Sequence, residues 1–116
     1  MLCNVWHMSD SPIVGLETAV LLAVARLGED AYGAAVRRDL GARHGRDYAV
    51  GAVHTALQRL EDKGLLVSWT GDPLPVRGGR ARRYFRLTAA GAVALERART
   101  AARRLWQAAD LGLEPS

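Results

Sequence analysis

The eleven residues from Gly78 to Thr88, GGRARRYFRLT, constrain the fold more than any other stretch of this 116-residue chain. They place four arginines and two aromatics between a glycine pair and a threonine. Successive side chains of a strand point to opposite faces, so Arg82, Tyr84 and Arg86 share one face while Arg83, Phe85 and Leu87 share the other. Phe85 and Leu87 can then turn toward a core while the opposite face stays cationic and wet. The glycines free the backbone for a change of direction, and Thr88 is a natural N-cap for a helix that follows. A strand bounded in this way needs a partner, and the alternating stretch Leu65 to Thr70 supplies one. The intervening loop, Gly71 to Gly79, carries two prolines that stiffen it and three glycines that free its ends.

Upstream of this hairpin the apolar residues recur at helical spacing. Leu16, Val20, Ala23, Val24 and Leu27 mark a first helix over about Ile13 to Leu27, with Ser11 as cap and Pro12 in the first turn. Gly28-Glu29-Asp30 ends it. A second helix, about Tyr32 to His44, buries Ala35, Val36 and Leu40 and turns Arg37, Arg38 and Arg43 outward before the polar turn Gly45-Arg46-Asp47. A third, roughly Val50 to Lys63, buries Val53, Leu57 and Leu60 and leaves His54, Thr55, Gln58, Arg59 and Asp62 opposite, with Lys63 in its last turn and Gly64 as a left-handed stop. After the hairpin, Ala89 to about Ala109 sets Gly91, Leu95, Ala98, Ala102, Leu105 and Ala109 at 4-3-4-3-4 spacing. That is the narrow seam of a helix packed closely on another.

The expected fold is mainly α with a small β-hairpin, a winged helix-turn-helix plus a C-terminal dimerisation helix. The expected organisation is a flexible N-terminal arm over 1–10, the DNA-binding domain over 11–87, the dimerisation helix over 88–110 and a tail over 111–116.

Composition bounds the function. With 49% apolar residues, a chain of this length buries one modest core. The net charge is +4, and 15 of the 16 basic residues are arginine, Lys63 being the one lysine. Arginine bridges phosphates and guanine edges bidentately, so the excess favours a nucleic-acid partner. The single cysteine, Cys3, forms no internal disulfide, which fits a reducing cytoplasm. The apolar run Ala19 to Ala25 is too short to cross a bilayer, and Met1 to Met8 reads as a loose arm rather than a signal peptide, with Met8 a second candidate start. No glycine-rich phosphate loop, nucleophile motif or paired carboxylates point to an enzyme, and no cofactor is implied. Cys3 and His7 lie four apart in the arm and His44 and His54 stand far from them, so no dense metal-ligand set appears.

Three blocks carry a resemblance to a known family. GGRARRYFRLTAAG, Gly78 to Gly91, resembles the wing of the PadR family of transcriptional regulators and its junction with the last helix. VGAVHTALQRLEDKGLL, Val50 to Leu66, is similar to that family's recognition helix and following strand, and AYGAAVRRDL, Ala31 to Leu40, is a weaker match. The family pattern differs at three positions: His54 stands where a tyrosine is usual, Ala49 where a small polar cap is common, and Ala34 where an aromatic often follows the glycine. The resemblance implies a homodimeric winged-helix repressor on double-stranded DNA with a palindromic operator, its C-terminal helices pairing two subunits and, in some relatives, holding a small aromatic effector.

Within that frame, Thr55, Gln58, Arg59 and His54 are the recognition-helix candidates for DNA contact, and Arg77, Arg80, Arg82 and Arg83 the wing candidates. Salt links from the hairpin to Asp or Glu are the competing use for those arginines, and Arg86 sits nearer the core. Leu95, Ala98, Ala102, Leu105 and Trp106 are the dimerisation candidates; Trp106 either packs there or lines a pocket for a planar ligand. Trp69 is expected in the core or as support for the wing. The rival functions are a winged-helix protein-interaction module or adaptor and an RNA binder.

Overall fold

The computed structural model describes residues 15–45, 47–73 and 81–109. Helix α1 (Leu16–Leu27) leads through a 3-10 turn (Gly28–Asp30) into α2 (Gly33–His44) and α3 (Val50–Asp62), followed by strands β1 (Leu66–Pro73) and β2 (Ala81–Leu87) and helix α4 (Ala89–Ala109). Gly15 occupies the N-cap position of α1; Ser11 and Pro12, expected there, lie outside the described residues.

The three first helices form one core because each offers a single apolar stripe. Val20, Ala23 and Val24 of α1, Ala35, Val36 and Leu40 of α2, and Val53, Ala56, Leu57 and Leu60 of α3 are all buried, and withdrawing each of the larger ones from water stabilises the fold by roughly 1.5–3 kcal/mol. Ala31 and Tyr48 join them from the connections, where helical periodicity gives no signal. Left-handed glycines make the reversals: Gly45, φ +69°, closes α2, and Gly64, φ +78°, turns the chain out of α3 into β1 as its sequence position predicts.

The strands pair antiparallel with Leu66 opposite Leu87, Ser68 opposite Phe85 and Trp69 opposite Tyr84. Leu66 and Phe85 point into the core, so the face carrying Trp69, Tyr84, Arg82 and Arg86 turns away from it. β1 runs on past Thr70, through the Gly71 to Pro73 stretch expected as loop. The pairing slips between Thr70 and Pro73, and this irregularity carries the strand past its glycine and proline before Pro73 pairs with Ala81. A further bridge joins Tyr32 to Tyr84, and the Phe85 amide donates to the Ala31 carbonyl at 2.8 Å, clipping the start of α2 to the free edge of β2. Three helices and this hairpin make a winged helix-turn-helix, the hairpin being the wing.

The junction to α4 is held by one threonine. Thr88 Oγ1 accepts from the Gly91 amide at 3.0 Å and donates to the Gly64 carbonyl at 2.6 Å, capping α4 while anchoring it to the turn after α3. Gly91 is buried so close to that turn that a Cβ would lie 2.1 Å from the Leu65 carbonyl oxygen.

Candidate nucleic-acid interface

The core takes one side of α3, which dictates what the other side presents. With about 3.6 residues per turn, the arc opposite Val53, Ala56, Leu57 and Leu60 carries Gly51, Thr55, Gln58 and Asp62. His54 flanks it on one edge and Arg59 on the other. Thr55, Gln58, Arg59 and His54 are all exposed. Gln58 donates to Asp62 Oδ1 at 3.0 Å, and Thr55 and Arg59 line a groove with Leu16 and Glu17 of α1. Lys63 Nζ reaches Glu17 across the far end of that groove at 2.6 Å.

His54 faces the other way, into a cleft of about 340 Å³ between α3 and the wing. Its floor is Val53, Leu57 and Phe85, and Tyr32, Arg37, Val50, Arg82 and Arg83 stand around it. Ala49 holds the N-cap position of α3 without any side-chain hydrogen bond. The entry is instead tied by Arg37, whose Nε donates to the Tyr48 carbonyl at 2.6 Å.

Arg82 and Arg83 are neighbours in sequence and separate in role, because strand alternation sends them to opposite faces. Arg83 shares a face with Phe85 and enters a closed network: Nη2 pairs with Glu61 Oε1 at 2.7 Å, Nε donates to Ser68 Oγ at 3.0 Å, and Ser68 Oγ donates to Glu61 Oε2 at 2.6 Å. This is the competing use anticipated for the hairpin arginines, and it braces the last turn of α3 against β1.

Arg82 lies on the outer face, where aromatic rings form a ladder. Its guanidinium carbon stands 4.1 Å from the Tyr32 ring centre; Tyr32 meets Tyr84 edge-on at 5.7 Å; Tyr84 stacks on Trp69 at 5.8 Å; and Arg86 stands 5.4 Å from the Trp69 ring centre. Trp69, 41% exposed, supports the wing from outside the core. Gly71 gives the ladder its room, since a Cβ there would approach the Tyr84 ring to 2.7 Å. Arg38 Nη2 donates to the Tyr32 hydroxyl at 3.0 Å. That hydrogen bond lowers the Tyr32 pKa below its ordinary value, aided by the charges of Arg38 and Arg82 and opposed by desolvation and by Asp30. Among the described residues, Arg82 forms an ion pair with no carboxylate. Arg77 and Arg80 lie outside the described residues.

Sequence reasoning did not single out Tyr32, Glu61 or Ser68, and it took Arg38 only as one of three outward charges of the second helix, of which one could meet a phosphate. Each is an unremarkable residue on its own element, and only the packing of α2 and α3 on the hairpin brings them to the arginines.

At the far end of the fold, α4 leaves the domain. Leu95 and Ala98 are half-buried beside Thr18 and Leu22 of α1, whereas Ala102 is exposed, Leu105 is 72% exposed and Trp106 49%.

Among curated proteins, none matches the chain. The sequence profile of the "Transcriptional regulator PadR-like family" matches residues 21–97. The chain belongs to that family. Solved structures agree. A PadR family transcriptional regulator from Eggerthella lenta is 30% identical with a TM-score of 0.66, the alignment covering 85% of this chain and 84% of that one. A Streptococcus transcriptional regulator is 27% identical, TM-score 0.67, covering 82% and 88%. A PadR family regulator from Clostridium difficile shares the fold at 22% identity, TM-score 0.71, covering 85% and 98%. PadR proteins are transcriptional regulators that bind DNA, not enzymes. No helix among the described residues is long and apolar enough to cross a membrane, and no three His, Cys, Asp or Glu residues gather there as a metal site; Cys3 and His7 lie outside those residues.

Proposed function

We propose that this PadR protein is a homodimeric, sequence-specific repressor in the cytoplasm, in which α3 enters the major groove and the wing grips the adjacent backbone. The observation that carries the reading is that α3 and the wing border one cleft, with His54 from the helix and Arg82 from the strand at its walls. Thr55, Gln58 and Arg59 are exposed where they can meet base edges or phosphate, Gln58 by giving up its hydrogen bond to Asp62. Of the two described wing candidates, Arg82 pairs with no carboxylate among the described residues, whereas Arg83 would reach a phosphate only by leaving Glu61. Two subunits would read a roughly palindromic operator with half-sites about one helical turn, or a multiple of it, apart, and binding there would block polymerase.

The apolar side of α4 that no described residue covers, Ala102, Leu105 and Trp106, supports pairing of C-terminal helices, with Leu95 and Ala98 nearer the domain. Trp106 serves that packing. A planar aromatic effector would stack on it and act by favouring one angle between the two DNA-reading heads.

Footprinting of the purified protein on the DNA upstream of its own coding region tests the reading. A symmetric protected site, bound about a thousandfold or more tighter than random duplex, is the expected result. Equal retention of every duplex would favour the adaptor reading, and preference for RNA of matching sequence would favour an RNA binder.

A further inference from the structure

Resting on that reading, we propose that Tyr32 gathers Arg82 of the wing and Arg38 of α2 into one composite site for a DNA backbone phosphate. With a helix in the major groove and a wing at the neighbouring minor groove, the sugar-phosphate strand that divides the two grooves has to cross the cleft between them. Tyr32, His54 and Arg82 all line that cleft.

The arginines that line it, Arg37, Arg82 and Arg83, and Arg38, which lies outside its lining and reaches it through the Tyr32 hydroxyl, differ in what they still have to offer. Arg83 is bound by Glu61 and Ser68, and Arg37 holds the Tyr48 carbonyl. Arg82 is held by a ring instead, 4.1 Å from the Tyr32 centre, a contact that fixes the guanidinium without using its N–H donors. Arg38 gives the Tyr32 hydroxyl one N–H of its five, at 3.0 Å, and its carbon lies 5.8 Å from the same ring centre. The Asp30 charge works on the Tyr32 hydroxyl against those of the two arginines, yet Asp30 forms an ion pair with neither.

Tyr32 is itself immobilised, by its backbone bridge to Tyr84, by the neighbouring Phe85 to Ala31 hydrogen bond, and by the edge contact with the Tyr84 ring. Two flexible cations are thus ordered before any phosphate arrives, which reduces the side-chain entropy lost on binding. Tyr32 is a positioning residue, and the two guanidinium groups are the phosphate ligands.

Fluorescence anisotropy of the full chain over a salt series, on the footprinted duplex and on a random duplex of equal length, tests this. Arg82→Ala and Arg38→Ala should each weaken both duplexes by about tenfold and lower the log–log salt slope by about 1.8 for a dimer on two half-sites. Tyr32→Phe keeps the ring and removes the hydroxyl, so in that background Arg38→Ala should cost less while Arg82→Ala keeps its full effect. In Tyr32→Leu both arginine substitutions should cost less.

Additive effects of Tyr32 and arginine substitutions would overturn the positioning role. If Arg38→Ala and Arg82→Ala left affinity and slope unchanged in a protein that still selects its operator, the phosphate site would fall and the regulator would stand. If the wild type selected no sequence, the regulator would fall and the site would still be read from the slopes on random DNA. Should Tyr32→Leu unfold, Tyr32→Phe alone decides, since its Arg38 and Arg82 backgrounds must then diverge.

Discussion

Gly91 shows how one residue can reverse an ordinary rule. A glycine inside a helix normally costs up to about 1 kcal/mol relative to alanine. Here a Cβ would collide with the Leu65 carbonyl at 2.1 Å, and that oxygen already accepts the Thr88 amide at 3.1 Å, so it cannot retreat without breaking the α4 anchor. Gly91→Ala should therefore destabilise the fold by about 1–3 kcal/mol, lowering Tm by several degrees in a circular-dichroism melt. Gly51→Ala is the matched control: its Cβ would meet nothing within 4 Å, so the same change in α3 should leave Tm equal or slightly raised. The same scale explains Arg82 and Arg83. Adjacent codons give identical side chains, and the pleat alone sends one to a carboxylate and the other to a ring.

Between elements, polar ties supplement the apolar core. Asp39 of α2 accepts from Arg26 Nε of α1 at 3.0 Å and lies 3.6 Å from Arg43 Nε. Partial burial would raise its carboxyl pKa, but the Arg26 hydrogen bond and the charges of Arg26 and Arg43 outweigh this and hold it below 3.8. Because the folded value lies under the unfolded one, the stabilisation is complete above the unfolded value and is lost as pH falls through the folded one. Asp39→Asn should cost about 1 kcal/mol at neutral pH in denaturant unfolding. The gap to wild type should close in acid, well below pH 3.8; a gap of constant size would assign the loss to packing instead. The Arg83, Glu61 and Ser68 network does for α3 and the wing what Asp39 does for α1 and α2.

For the whole molecule, the proposed pairing through α4 would separate assembly from folding. Leu105 and Trp106 contribute little to the described monomer core, being 72% and 49% exposed. Replacing both with glutamate should shift sedimentation from dimer to monomer and weaken operator binding through loss of the second half-site, while the helical signal persists. A dimer that survived both changes would move the interface off this seam. The second, third and last helices were legible in sequence to within a residue or so because apolar positions recur at helical spacing between capping and turn residues. The first begins at Leu16, three residues later than its pattern suggested, with Gly15 extended as its N-cap. The course of β1 was not legible. Gly71 and Pro73 read as breakers, and a pairing irregularity that only the partner strand defines carries the chain through them.

Local chemistry written in consecutive residues determined the family, the order of elements, the buried face of each helix, the Thr88 cap and the placing of Arg82 and Arg83 on opposite sides of a strand. Periodicity and capping act within a few residues, so they survive as patterns in one dimension. Which arginine keeps a free charge was decided only by tertiary structure. Glu61 lies 22 residues from Arg83, and Tyr32 is still farther from Arg82 along the chain. Electrostatic and ring contacts depend on distances of a few ångströms in space, which sequence separation does not encode. The core's docking of α2 and α3 against the hairpin sets those distances, and with them the charge the molecule offers to DNA.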